Sequence, residues 1–317
     1  MIYYLPLENI DMRYTTHLDR DIRLFLRGYE HKIIEPAQGS TVIENGSFLD
    51  AGFTIMTKSK QMYEIAELYR NNIIQDGDII FTSDIWFTGI ESIAYLNYFY
   101  KKKVKLRGVV HAGSFTDTDF VRDMERWAKY FEDIVFDIAE KIFVASNFIS
   151  DDILKKRIIQ KEKLIVTGLP MDYLALDIWN CDMKQDIVIF NGRNVDEKQP
   201  HLFERLEERL PNYRFFNTHK LNLPKKQYYD LLSISKVVVS FALQENFGYG
   251  IQEAVYLKNV PVVPDRLVYK EQFDKQYRYD DFEDCVKKVE MAMQDKLPVP
   301  ELKLNTNESI FKEWFLT

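Results

Sequence analysis

Short apolar runs alternating with helical patterns constrain this 317-residue chain more than any other feature. Ile2–Leu5, His31–Ile34, Asp78–Thr82, Leu106–His111, Lys141–Ala145 and Lys163–Thr167 are apolar on both faces, as buried strands must be. Helical patterns fall between them at Ser59–Asn71, Gly89–Lys101, Thr118–Ile138 and Asn147–Arg157. The cycle then restarts. Strands are expected at Asp186–Phe190, Tyr213–Phe216, Lys236–Phe241 and Val260–Val263, and helices at Pro200–Leu210, Lys225–Ser233 and Tyr249–Leu257. Strand–helix alternation of this kind builds a parallel sheet with helices on its faces, an α/β fold.

Two such series with a break near Leu169–Lys184 predict two Rossmann-like domains. Their expected bounds are 1–169 and 170–300. The segment 301–317 holds a last helix at Asn307–Phe315, whose Ile310, Phe311, Trp314 and Phe315 are expected to dock back on the first domain. The length suits two cores better than one.

Composition narrows the function classes. A net charge of −7 argues against a surface that binds nucleic acid throughout, though it allows a local basic patch. The two cysteines, Cys181 and Cys285, form neither a CxxC nor a Cys/His cluster, so a disulfide framework is excluded by number, a structural zinc site is not expected, and both thiols read as buried and reduced. No apolar run reaches the ~20 residues needed to span a bilayer, and the start of the chain lacks a signal-peptide pattern. The expected location is the cytoplasm.

The richest chemistry lies in Val237-Val-Val-Ser240-Phe-Ala-Leu-Gln-Glu245-Asn-Phe-Gly248-Tyr-Gly250-Ile-Gln-Glu253. A strand ends at Ser240, a loop with two glycines follows, and a helix begins. In open α/β sheets ligands sit beyond the carboxyl ends of the strands. A helix N-terminus opened by glycine offers free N–H groups and a positive dipole end to a phosphate or a hydroxyl. Glu245 and Glu253 bracket that loop and are expected to face one crevice. A bare Glu-x7-Glu arises easily by chance in an acidic chain; the interior Phe247-Gly248 and the strand before it make chance a minor competitor.

This stretch resembles the donor-site motif of retaining glycosyltransferases of the GT-B fold, in the large family 4-like group: two Rossmann-like domains facing each other across a cleft. Their usual form is Glu-Gly-Phe-Gly followed by Glu-Ala, so Asn246 departs from the pattern. The resemblance implies a nucleoside diphosphate sugar as donor, a UDP- or GDP-sugar, transferred with retention and without a metal or other cofactor. It implies that Glu253 holds the ribose and Glu245 the sugar hydroxyls. Asn246, Tyr249 and the backbone N–H groups of Phe247 and Gly248 would complete the sugar site. Gly192-Arg193 after the strand at Asp186–Phe190, with Lys198, would grip the diphosphate, because fixed cations stabilise a departing anion. Standing alone, that segment would read as a turn glycine with two solvated cations.

In the first half, site-like loops follow two strands. Thr82-Ser83-Asp84-Ile-Trp86 and His111-Ala-Gly113-Ser114 combine small residues, hydroxyls and titratable groups, the furniture of a crevice wall. The bland alternative for Asp84 is a helix N-cap, and for His111 a structural imidazole. With Arg13-Tyr14-Thr15 near the start, these blocks resemble bacteriophage-type glycosyltransferases, some of which decorate hydroxymethylated pyrimidines in phage DNA. That resemblance implies an acceptor side built from Arg13, Tyr14, Asp84, Trp86, His111, Gly113 and Ser114, with His111 lining the reaction site, and host cytoplasm as the location. Lys101–Arg107 and Lys155–Lys163 are candidate phosphate contacts for DNA, although each cluster alone reads as solvated lysines.

Four other readings fit less of the sequence. A glycan or small-molecule glycosyltransferase shares the donor half. A nucleotide-sugar epimerase of the same fold needs a base or water near C2. A non-catalytic nucleic-acid-binding protein has no need of Glu245 and Glu253 beside a glycine loop. A dinucleotide oxidoreductase is weaker still, since no GxGxxG follows a strand.

Overall fold

The computed structural model describes residues 1–8, 14–39, 50–171, 176–179 and 183–317. They form two compact units, one of Met1–Pro170 with Asn305–Thr317, the other of Met171–Leu304. Each has its own parallel sheet and its own core.

In the first unit the strands are β1 (Ile2–Leu5), β2 (His31–Ile33), β3 (Ile79–Thr82), β4 (Lys105–Val110), β5 (Lys141–Val144) and β6 (Leu164–Val166), in the order β2-β1-β3-β4-β5-β6. Every pairing is parallel. The helices are α1 (Tyr14–Leu26), α2 (Ala51–Arg70), α3 (Ser92–Tyr100), α4 (Glu125–Ile138) and α5 (Asn147–Lys156). The order reverses between β1 and β3, where the next element leaves to opposite sides and a crevice opens at the carboxyl ends.

The second unit repeats the plan with β7 (Gln185–Phe190), β8 (Arg214–Asn217), β9 (Ser235–Val239), β10 (Val260–Pro264) and β11 (Arg278–Tyr279). Their order is β11-β10-β9-β7-β8, again all parallel, so the reversal falls between β7 and β9. Its helices are α6 (Pro200–Arg209), α7 (Thr218–Leu221), α8 (Lys225–Ile234), α9 (Tyr249–Tyr256), α10 (Tyr269–Gln272) and α11 (Phe282–Met293).

The last helix, α12 (Asn307–Phe315), belongs to the first unit. Trp314 is fully buried, its ring 5.4 Å from Phe81 and 6.0 Å from Phe143, and its indole N–H donates to Thr167 Oγ1 at 3.1 Å. Arg107 reaches the Trp314 carbonyl at 3.2 Å and pairs with Glu140 at 2.7 Å. Arg107 is therefore a buried tie and not part of a basic surface.

Several elements differ from the sequence expectation. Helix α2 starts at Ala51, eight residues before the predicted Ser59. Helix α3 starts only at Ser92, with Glu91 at its N-cap, so Asp84 caps no helix; its Oδ1 instead accepts from the Trp86 N–H at 3.0 Å in a tight turn. Helices α1 and α11 were not anticipated. The predicted helix at Thr118–Ile138 is a 3-10 turn at Phe120–Met124 followed by α4.

Candidate functional site

The loops after β7 and β9 meet at the reversal in the second sheet, and the groups that could bind a ligand are held there by one another. Strand β7 delivers Asn191, whose amide donates to the Gly250 carbonyl at 2.6 Å and lies 3.3 Å from the Tyr228 hydroxyl. A Cβ on Gly250 would stand 2.8 Å from that amide nitrogen, so only glycine lets α9 start this close to β7. A Cβ on Gly192 would likewise press on the Phe190 ring.

Lys198 ends a 3-10 turn at Asp196–Lys198 and is 8% exposed. Its ammonium donates to the Gln244 carbonyl and lies 3.2 Å from Glu245 Oε2. The other Glu245 oxygen accepts the Gly248 N–H at 3.0 Å. Glu245 thus clamps the loop from the cation to the first turn of α9. The Gly248 N–H, expected to face a sugar, is engaged by this carboxylate. Gly248 caps α9 at φ 77°, the left-handed region that favours glycine. Asn246 is not among the positive-φ residues, so the departure from the usual motif carries no backbone strain.

A pocket of about 50 Å3 opens here, lined by Asn191, Gly192, Lys198, Ser240, Glu245 and Gly250 over a floor of Phe190, Val239, Ile251 and Tyr269. Ser240 and Tyr269 share a hydrogen bond at 2.8 Å. Burial, then the charge of Glu245, holds the Tyr269 phenol well above its ordinary value. Phe247 is buried, its ring 4.9 Å from Tyr249 and its carbonyl accepting from Gln272 at 2.7 Å. Arg193 is half exposed and paired with Glu197 at 2.6 Å, outside the pocket lining.

Glu253 is not among the residues that line this pocket. One turn into α9 it faces α8. Its Oε1 accepts from Tyr229 at 2.8 Å and Lys225 at 3.1 Å, and its Oε2 from Tyr228 at 2.9 Å. The Lys225 ammonium also sits 4.6 Å from the Tyr229 ring centre. Burial and the Glu253 charge keep the Tyr228 phenol protonated. Glu253, Tyr228, Asn191 and Gly250 therefore form one polar chain from α8 to the start of α9. Asn191, Lys225 and Tyr269 also belong to this site; of these only Asn191, at a strand end before Gly-Arg, carries a local signal in the sequence.

In the first unit the carboxyl ends of β3 and β4 bring Asp84, Trp86 and His111 close together. His111 Nε2 lies 2.8 Å from the Ser83 carbonyl and so carries the proton in that bond. Trp86 and Ser114 are held from below by Glu132. Its Oε1 accepts from the Trp86 indole at 2.9 Å and the Ser114 N–H at 2.6 Å, and its Oε2 from the Ser114 hydroxyl at 2.9 Å. Arg157 neutralises Glu132 at 2.6 Å and donates to Ser114 Oγ at 2.8 Å. Ser114 is fully buried in this network, which makes it framework. A Cβ on Gly113 would collide with Phe115 and Glu132. Arg157, expected in a basic patch, is sequestered here, and Lys156 is tied to Asp117 and Asp152, each at 2.9 Å. Arg13 lies outside the described residues, as does the side chain of Tyr14 and all of Cys181. Cys285 is free and buried, which raises its thiol pKa.

Among the described residues no group of three or more His, Cys, Asp or Glu is placed to hold a metal, and no helix is long and apolar enough to cross a membrane.

Known proteins with this architecture decide the fold. Sucrose-phosphate synthase from Thermosynechococcus elongatus superposes with a TM-score of 0.64 at 10% identity, over 99% of this chain and 94% of that one. HepE from Anabaena, solved in complex with UDP, gives 0.62 at 11% identity, over 99% and 95%. The fold is GT-B. A tRNA-queuosine alpha-mannosyltransferase of Drosophila melanogaster is 28% identical over 108 residues, which is 34% of this chain and only 27% of that protein. No protein-family model matches the chain.

Proposed function

We propose that this GT-B chain is a glycosyltransferase that takes a sugar from a UDP- or GDP-sugar and passes it, with retention, to an acceptor hydroxyl. The observation that carries the reading is the Lys198–Glu245–Gly248 clamp. It sets a buried ammonium and a glycine-opened helix N-terminus at the reversal in the second sheet, where open α/β folds take their ligands. Such a site attracts a diphosphate and stabilises the charge that grows on it as the glycosidic bond breaks. The solved HepE complex contains UDP, and the family resemblance of Glu245–Glu253 points the same way.

In this reading Lys198 and the start of α9 hold the diphosphate, Gly192 leaves room for it, and Arg193 swings from Glu197 to meet it. Glu245 accepts from the sugar hydroxyls beside Phe247, Asn246 and Tyr249. Glu253, oriented by Tyr228, Tyr229 and Lys225, offers its Oε2 to the ribose. The departing phosphate takes the acceptor's proton, so no protein nucleophile and no metal enter the step, unlike retaining glycosidases. Asp84, Trp86 and His111 supply the acceptor side, with His111 lining it.

The acceptor is proposed to be a hydroxyl on a modified nucleoside in nucleic acid. The bacteriophage-like blocks suggest hydroxymethylated DNA, and the Drosophila relative is named for a tRNA nucleoside. Burial of Arg107 and Arg157 weakens the basic surface such an acceptor needs and favours, as second reading, a glycan or small molecule.

The test has two stages. Binding of UDP- or GDP-sugars should raise the melting temperature; no shift with any of them defeats the donor assignment. Mass spectrometry of hydroxymethylated DNA and of bulk tRNA, each incubated with the sugar that binds, should show one added sugar. With donor binding intact and neither polymer modified, the acceptor passes to the second reading. The anomeric configuration of the product decides retention.

A further inference from the structure

The loop from Ser240 to Phe247, between β9 and α9, is held along its length by one short segment that follows β10. Arg266 Nε donates to the Ala242 carbonyl at 2.9 Å, and its Nη2 to the Phe241 carbonyl at 3.2 Å. Tyr269 shares its hydroxyl bond with Ser240 at 2.8 Å, and Gln272 Nε2 donates to the Phe247 carbonyl at 2.7 Å. These three side chains recur at every third position, the spacing that one tight turn brings to a common side. The turn is opened by Leu267 at φ 58°, a left-handed conformation that costs a bulky side chain energy and persists only where its surroundings enforce it.

Arg266 reaches further than its two neighbours. Its Nη2 also lies 3.4 Å from Gln199 Oε1, and Gln199 directly follows Lys198 in the chain. The same loops are tied a second time beside it. The Leu243 N–H donates to the Glu197 carbonyl at 2.7 Å, and the Gln244 carbonyl accepts from Lys198. One guanidinium thus joins the loops that follow β7, β9 and β10. Asp265, its neighbour in sequence, is taken by Lys275 and Arg278, and among the described residues no carboxylate stands within ion-pair distance of Arg266. Its donors are spent on neutral oxygens of the two facing loops. Phe241 and Ala242 are each 1% exposed, so water has little access to take over those bonds.

We propose that Arg266 is a positioning residue of the donor site. It fixes the loop of Ser240–Phe247 against the turn that carries Lys198, so that the Lys198 ammonium and the Glu245 carboxylate stand ready for a diphosphate. The proposal rests on the donor reading given above. Arg266 is not among the residues that line the pocket, and it acts through Lys198. A lysine in its place keeps the charge and loses the planar fork that spans three acceptors.

Titration calorimetry of the full chain with UDP and with GDP tests this, because both carry the charge that the leaving group acquires. Wild type should bind one of them. Arg266→Ala should weaken that binding about tenfold, the effect of losing a charged hydrogen-bond donor. Lys198→Ala should weaken it at least as much. The double variant should bind within about twofold of Lys198→Ala, since a residue that acts through Lys198 has nothing to place once the ammonium is gone. Additive losses would make Arg266 a separate charge or a general prop, and would overturn the proposal. Circular dichroism shows whether Arg266→Ala folds; if it does not, Arg266→Lys takes its place in the same cycle, with weakened binding and the same coupling expected. Wild-type affinity in the Arg266 variant used also overturns the proposal. Binding of neither nucleotide by wild type defeats the donor reading itself, whereas intact wild-type binding with an unaffected Arg266 variant defeats this assignment alone.

Discussion

In the proposed reading the donor chemistry turns on Lys198, and its surroundings say what replacing it should do. The ammonium is held by a carbonyl and a carboxylate, so its position is set before any ligand arrives, and a preorganised charge stabilises a developing anion without reorganising. Lys198→Ala is expected to lower kcat by about 10²–10³-fold, the cost of losing one such group. Because the interaction strengthens as the leaving group gains charge, kcat and kcat/KM should fall together, as initial rates of nucleotide release will show. A rise in KM alone would make Lys198 a ground-state anchor. At this scale the grouping of Lys198, Glu245 and Gly248 was legible, since a strand end, a loop glycine and a carboxylate spacing are local signals. The partners that orient Glu253 were not legible. Which way a helical carboxylate points depends on Tyr228, Tyr229 and Lys225, more than twenty residues earlier, and no spacing rule reports that.

Among the elements, α9 is tied at its start by a close contact. Its first turn approaches β7 so closely that Gly250 lies against the Asn191 amide. Gly250→Ala would ordinarily favour a helix, since alanine is the better helix former. Here the added Cβ displaces Asn191 and breaks its bond to the Gly250 carbonyl, and overpacking of this kind costs about 1–3 kcal/mol. The variant is expected to melt lower than wild type and to bind nucleotide sugar less tightly, both read by thermal shift with and without ligand. Unchanged melting would mean that α9 can shift away from β7 at no cost. The sequence showed α9 because its apolar residues have helical spacing after a glycine loop. It hid the first turns of α2 for a physical reason. Thr54, Thr57, Lys58 and Gln61 place polar groups where the apolar stripe should run, so periodicity begins only after them. The two-residue strand β11 is too short to carry any pattern. Helix α11 shows an Asp281 N-cap and a stripe of Cys285, Val286, Val289 and Met293, and was readable in principle.

For the whole molecule, both sheets bury phenols in their cores, and this sets its response to alkali. Tyr3, Tyr4 and Tyr69 in the first unit and Tyr269 and Tyr279 in the second are buried. Burial is the leading cause that raises each phenol above its ordinary value, with Tyr3 pushed up to about 12. An unfolded tyrosine ionises near pH ~10. Between that point and the folded values the native state binds more protons than the unfolded one, so stability falls as pH rises. The stabilisation is complete below pH ~10 and is lost progressively through 12 and beyond. Lys58 acts in the opposite sense: its lowered value means stability gained as pH climbs toward ~10.5. It is one group against five phenols. The expected outcome is a melting temperature that holds up to about pH 10 and then drops, with tyrosinate absorbance rising in step with unfolding and not before it. Phenols that ionise near pH ~10 while the fold persists would show that these cores admit water. The two sheets have separate cores, so calorimetry in alkali should also show whether they fail together or one after the other.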